Sequence, residues 1–201
     1  MTDNKNLLSS LCSVEYFKSN GIINTGIGVL CTFKDNNISH HVLIIKYKVA
    51  PIIKSSDLFN LKLKNKLNII LSNMVKAVWS NSENNIYKII VIEFNEYGIR
   101  ILSKSKSEFL EITSPKIYTN IKTYHFNQQK LFMMNGVISQ VNENNFEYNF
   151  KYTPIIGSII SDENLNIVGI YCDRQNGKYN GISRNTIQNN YFNYLKQIEN
   201  K

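Results

Sequence analysis

The stretch YTPIIGSIISDENLNIVGIY, residues 152–171, decides how this chain is read. It joins a Gly157-Ser158 pair to an apolar segment, a polar turn and a second apolar segment containing Val168-Gly169-Ile170. That outline is a loop of the kind that carries a nucleophile, followed by a β-hairpin. The residue standing where the nucleophile would be expected is Ile156.

Short β-type segments continue in both directions. Upstream they cover 12–18, 26–33, 40–47, 61–71, 76–80, 86–94 and 97–103, each rich in Val, Ile, Phe or Tyr and bounded by Asn, Gly, Ser or Asp. A polar connector follows, and a second set covers 117–125, 130–140, 144–152, 157–161, 165–173 and 178–183. At the end, Ile187, Tyr191, Leu195 and Ile198 recur at three- and four-residue steps, which predicts one amphipathic helix. The expected fold is all-β: two packed six-stranded antiparallel β-barrels with a C-terminal α-helix. The barrels would occupy 1–104 and 117–185, the connector 105–116 and the helix 186–201.

Composition agrees with an ordinary folded chain. It has 201 residues, 43% of them hydrophobic, and can bury a core without metal or disulfide support. About thirty asparagines occur, and the pairs at 36–37, 84–85, 144–145 and 189–190 read as turns, since Asn tolerates left-handed backbone. The net charge of +8 is carried almost wholly by lysine, with arginine only at 100, 174 and 184. Sequence-specific nucleic-acid readers depend on bidentate arginine, so nucleic acid is admitted as a partner only without specificity. Cys12, Cys31 and Cys172 are far apart and lack metal-ligand spacing, so they read as buried thiols in a reducing compartment. No apolar run approaches the length of a membrane helix and the first residues lack signal-peptide character. The expectation is a soluble, cytoplasmic protein with no membrane, metal or cofactor.

Four blocks resemble the trypsin/chymotrypsin-like serine peptidases. SLCSVEY with TGIGVLCTF is similar to their opening strands, and VLIIKYKVA (42–50) to the strand that ends in the catalytic histidine. YKIIVIEF (87–94) resembles the strand that begins with the catalytic aspartate, and TPIIGSIISDENLNIVGIY the nucleophile loop and its hairpin. The resemblance places the base at Lys48, the orienting acid at Lys88 and the nucleophile at Ile156, with the oxyanion donor at Pro154. None of these can act. Isoleucine has no nucleophilic atom, and a lysine beside an imidazolium repels it where a carboxylate would stabilise it. Proline has no N–H to donate, and losing one oxyanion donor costs about 10²–10³ in rate. Ser158 becomes the alternative nucleophile only if the loop register slips by two residues. His40 and His41 read as exposed strand-end histidines, His125 as another without an acidic partner, and Cys172 as a buried thiol.

The resemblance therefore implies a catalytically inactive pseudoprotease retained as a binding or regulatory protein, its partner a protein or an anionic ligand. Lys48 and Lys88 form the candidate anion site, with Glu83 or Glu93 able to neutralise one charge. The alternative is a metal-independent hydrolase or nuclease acting on a phosphate-containing ligand such as a cyclic dinucleotide. It rests on the Tyr-x-x-x-Lys spacing of Tyr118 and Lys122, which is similar to that of the poxvirus cyclic-dinucleotide nucleases.

Overall fold

A computed structural model describes residues 9–17, 23–35, 37–47, 59–63, 68–70, 73–80, 88–127, 130–150, 158–175 and 177–200. It divides into two compact units, Met1–Glu111 and Ile112–Lys201.

The first unit contains β1 (Leu11–Phe17), β2 (Ile23–Asp35), β3 (Ile38–Tyr47), β4 (Phe59–Leu63), β5 (Asn68–Ile70), β6 (Val75–Ser80), β7 (Lys88–Phe94) and β8 (Leu110–Glu111). They form one eight-stranded sheet in the order β5-β4-β1-β2-β3-β7-β6, with β8 added in parallel to β2. The central strands read as unbroken apolar runs because they are buried on both faces. In β7, Ile89 to Ile92 are all at most 2% exposed, and Val42 to Ile45 of β3 at most 1%. One face carries a cluster of Val14, Leu30, Leu43, Ile45, Ile90 and Ile92, completed by Met74 and Leu102.

The second unit contains β9 (Asn120–Asn127), β10 (Lys130–Val141), β11 (Asn145–Phe150), β12 (Ile159–Asp162), β13 (Ile167–Gln175) and β14 (Lys178–Ser183). These close into an antiparallel barrel in the order β10-β11-β14-β13-β12-β9. Its interior holds Ile121, Ile138, Phe146, Tyr148, Ile160, Tyr171 and Tyr179. The chain path repeats between the units. In each, three strands run as a meander, the fourth returns to pair with the first, and a later strand, β7 in the first unit and β14 in the second, pairs with the third. The path closes in the second unit through the β12–β13 pairing. Among the described residues no equivalent pairing closes the first unit, so the expected pair of barrels is observed as one barrel and one sheet.

The segment expected as a strand at 97–103 is a helix, α1 (Glu96–Lys104). Asn95 caps it, its side-chain oxygen accepting the Gly98 N–H at 2.9 Å, with Glu96 in the first turn and Lys104 in the last. Gly98 and Leu102 form its buried side, and a Cβ at Gly98 would stand 2.7 Å from the Met74 carbonyl oxygen. The single strand expected at 61–71 is two strands, β4 and β5. The connector contributes β8, and the strand expected from 117 begins at Asn120, after Tyr118 has turned left-handed at φ 62°.

The closing helix is present as α2 (Arg184–Glu199), capped by Ser183 and burying Ile187 and Tyr191. It absorbs Asn189 and Asn190, which were expected to form a turn. Asn37, at φ 72°, turns the β2–β3 hairpin as expected, and Asn144 precedes β11. No helix among the described residues is long and apolar enough to cross a membrane.

Candidate functional site

The positions singled out by the peptidase resemblance divide into those the structure describes and those it does not. Lys48, Pro154 and Ile156 lie outside the described residues, as does Glu83. Lys88 begins β7 opposite Tyr47, and its side chain is likewise outside them. Glu93 is not beside Lys88. It lies five residues further along β7, opposite Val42, about 17 Å of extended strand away.

Ser158 immediately precedes β12 and is fully buried. Its carbonyl oxygen accepts the Tyr171 N–H at 2.9 Å, which fixes the segment against β13. Cys172 is 2% exposed, with its thiol 3.3 Å from the Ile170 carbonyl oxygen. Cys12 and Cys31 are also buried and free, and desolvation raises both thiol pKa values far above the ordinary value. Thiolate chemistry is suppressed at those two positions.

The histidines at the start of β3 are not exposed, contrary to expectation. Glu93 is 4% exposed, and its Oε1 accepts from His40 Nδ1 at 3.0 Å and from Lys76 Nζ at 2.9 Å. The register shift between Val75 and Ala77 makes Lys76 a bulge residue, which accounts for its being aimed at its neighbour strand. With Nδ1 donating to a carboxylate, Nε2 of neutral His40 is the unprotonated nitrogen. His41 lies on the opposite face of β3 from His40 and meets Phe109 edge-on, ring centroids 4.8 Å apart. Sequence reading missed this cluster, because a lone glutamate at a strand end carries no mark of its burial.

On the barrel, residues 121, 123 and 125 face inward while 120, 122 and 124 face outward, since side chains alternate along β9. His125 stacks on Phe132 at 5.2 Å, and its Nδ1 has no partner among the described residues. Lys122 stands directly opposite Asn135 of β10 on the outer face, and Asn120 opposite Val137. With Glu163 from the β12–β13 turn they border a surface cavity of about 420 Å³. Asn120 donates its amide N–H to Glu163 Oε1 at 2.8 Å. Tyr118 is 79% exposed, and its backbone N–H bonds the Ile138 carbonyl oxygen. Lys122 is thus part of a cavity wall, whereas His125 faces the other way. The hydrolase alternative rests on Tyr118 and Lys122, and no histidine of β9 stands on the outer face beside Lys122.

Burial lowers the pKa of both His41 and His125 below the ordinary value, opposed at His41 by the Glu93 carboxylate. Below the unfolded value near 6.5 the unfolded chain then binds more protons than the folded one, so stability rises with pH through this window. It is complete above pH about 6.5 and is lost as pH falls toward the folded values. Melting temperatures measured between pH 7.5 and 5 should therefore fall, and His125→Phe should flatten the decline. A midpoint independent of pH would contradict the burial of these rings.

Among the described residues, no group of three or more His, Cys, Asp or Glu side chains could hold a metal ion. No protein-family model matches the chain, and no curated protein matches it.

Proposed function

We propose that this chain is a peptidase-like scaffold that binds a protein or an anionic ligand and does not cleave peptides. The repeated strand path of the two units supports the two-barrel frame that the sequence resemblance implies. The observation that carries the reading is Ser158. It is the described hydroxyl nearest in sequence to residue 156, and a group with no exposed surface cannot reach a peptide carbonyl. Lys48 and Lys88, standing where the resemblance puts base and acid, are the proposed anion contacts.

One experiment tests both halves. The protein is treated with a fluorophosphonate probe and weighed intact, and its melting temperature is followed as sulfate is added. No adduct should form. Sulfate should raise the midpoint of the wild type, as binding to the folded state alone requires, and leave the Lys48→Ala/Lys88→Ala protein unmoved. Stoichiometric labelling of Ser158 would overturn the inactive reading. An equal sulfate response in both proteins would overturn the anion site.

A further inference from the structure

The described residues that line the cavity on the outer face of the barrel include none of the peptidase-like positions, and their chemistry points elsewhere. Two opposite charges line it without meeting. Lys122 makes no ion pair and no hydrogen bond among the described residues, and its side chain is half-buried along β9. Glu163 is held from the other side, one oxygen fixed by the Asn120 amide at 2.8 Å. An exposed lysine and glutamate free to move would gain little by pairing. Here the carboxylate is oriented by an amide and the ammonium stays separate. Each charge stays available to something that enters the cavity in place of water.

We propose that this cavity takes a small zwitterion the size of a dipeptide, its carboxylate on Lys122 and its ammonium on Glu163. The two charges select against other ligands. A phosphate chain or nucleic-acid backbone brought to Lys122 is repelled by Glu163, and a polyamine brought to Glu163 is repelled by Lys122. The span follows from the strand. Asn120, which holds Glu163, is two residues from Lys122, or about 6.6 Å along β9. On that backbone spacing a ligand with ends as far apart as a dipeptide's bridges the two residues better than a single α-amino acid, whose charges are only about half as far apart. The remaining lining suits the middle of such a ligand. Asn135, opposite Lys122, offers both an amide donor and an acceptor for a peptide group. Val137, 39% exposed, offers an apolar wall for a side chain. A volume of about 420 Å³ lies within the ordinary range of small-molecule sites.

The test uses the full chain, with backbone amide shifts followed by NMR during titration. Glycylleucine is the probe, compared with N-acetylglycylleucine, which lacks the ammonium, with glycylleucinamide, which lacks the carboxylate, and with pyrophosphate. Glycylleucine should shift the amides of Lys122, Asn135, Val137 and Glu163 saturably. Each blocked analogue should bind about tenfold more weakly or worse. Lys122→Ala should remove the preference for a free carboxylate and Glu163→Gln the preference for a free amine, with the rest of the spectrum unchanged. Equal binding of the blocked analogues, or no saturable shift at those four residues, would overturn the proposal. Tighter binding of pyrophosphate would do so too and would make the cavity an anion site. Because the probe, the variants and the reporting residues are all on β9, β10 and the β12–β13 turn, failure here leaves the Ser158 and Lys48/Lys88 experiment standing.

Discussion

Gly169→Ala is expected to destabilise the barrel by about 3 kcal/mol or more, at the upper end of what overpacking costs. A Cβ at this position would stand 2.3 Å from the Ile182 carbonyl oxygen and 2.6 Å from Cε1 of Phe146. The first obstacle is backbone. Gly169 pairs with Ser183 and Ile170 with Ile182 in the β13–β14 ladder, so moving that oxygen away strains the pairing that joins the two strands. Gly181 provides the comparison. The three atoms nearest its Cβ would all belong to the Phe146 ring, the first 2.4 Å away. Phe146 is fully buried, and its ring occupies the space that both glycines leave. Phe146→Leu should therefore offset part of the cost of Gly181→Ala, with a coupling of about 1 kcal/mol or more. It should offset much less of the cost of Gly169→Ala. Urea denaturation of the three single and two double variants measures both. A Gly169→Ala protein as stable as the wild type would mean that residue 169 does not face this packing.

The same glycine shows why part of the fold was legible in the sequence. Val168-Gly169-Ile170 reads as strand because β-branched residues flank the glycine, and the glycine marks a close approach that the structure supplies in Phe146. Strands β10 to β14 and α2 fall near their expected bounds for the same reason, alternation in the one case and a three- and four-residue step in the other. The helix α1 was missed because Ile99-Arg100-Ile101 imitates the alternation of a strand. The signal that outweighs it is local: an asparagine followed by glutamate, Asn95-Glu96, is a helix start. Whether the sheet of the first unit closes could not be read at all, since that depends on which edges pair and not on any strand's own pattern. At the cavity, Lys122 was found through its spacing from Tyr118, which is not what places it there. Asn120 and Asn135 had no signal, being two of about thirty asparagines, and Glu163 sat in a turn like any other exposed acid.

Glu93 is the residue whose importance the sequence hid most completely, and removing its partners is expected to have the second large effect. It lies in a strand of isoleucine and valine and is 4% exposed, so its charge is out of water. A buried carboxylate costs several kcal/mol unless opposite charge and hydrogen bonds answer it. His40 and Lys76 both donate to Oε1, but they are not equivalent. The Lys76 side chain is 57% exposed and that of His40 only 11%. Lys76→Met should cost about 1 kcal/mol, as for a solvated pair, and His40→Phe more. The double variant strips these two donors from the buried charge, for which about 3–5 kcal/mol is expected. Adding Glu93→Leu to that double variant removes the charge these donors answered and should recover most of the loss, since an apolar side chain fits a strand rich in isoleucine and valine. The gain on adding a third substitution is the distinguishing result, because three ordinary losses of packing would accumulate. Denaturation midpoints of the two single, the double and the triple variants decide it. A triple variant no more stable than the double would mean that the Glu93 carboxylate is not the charge these two side chains hold in place.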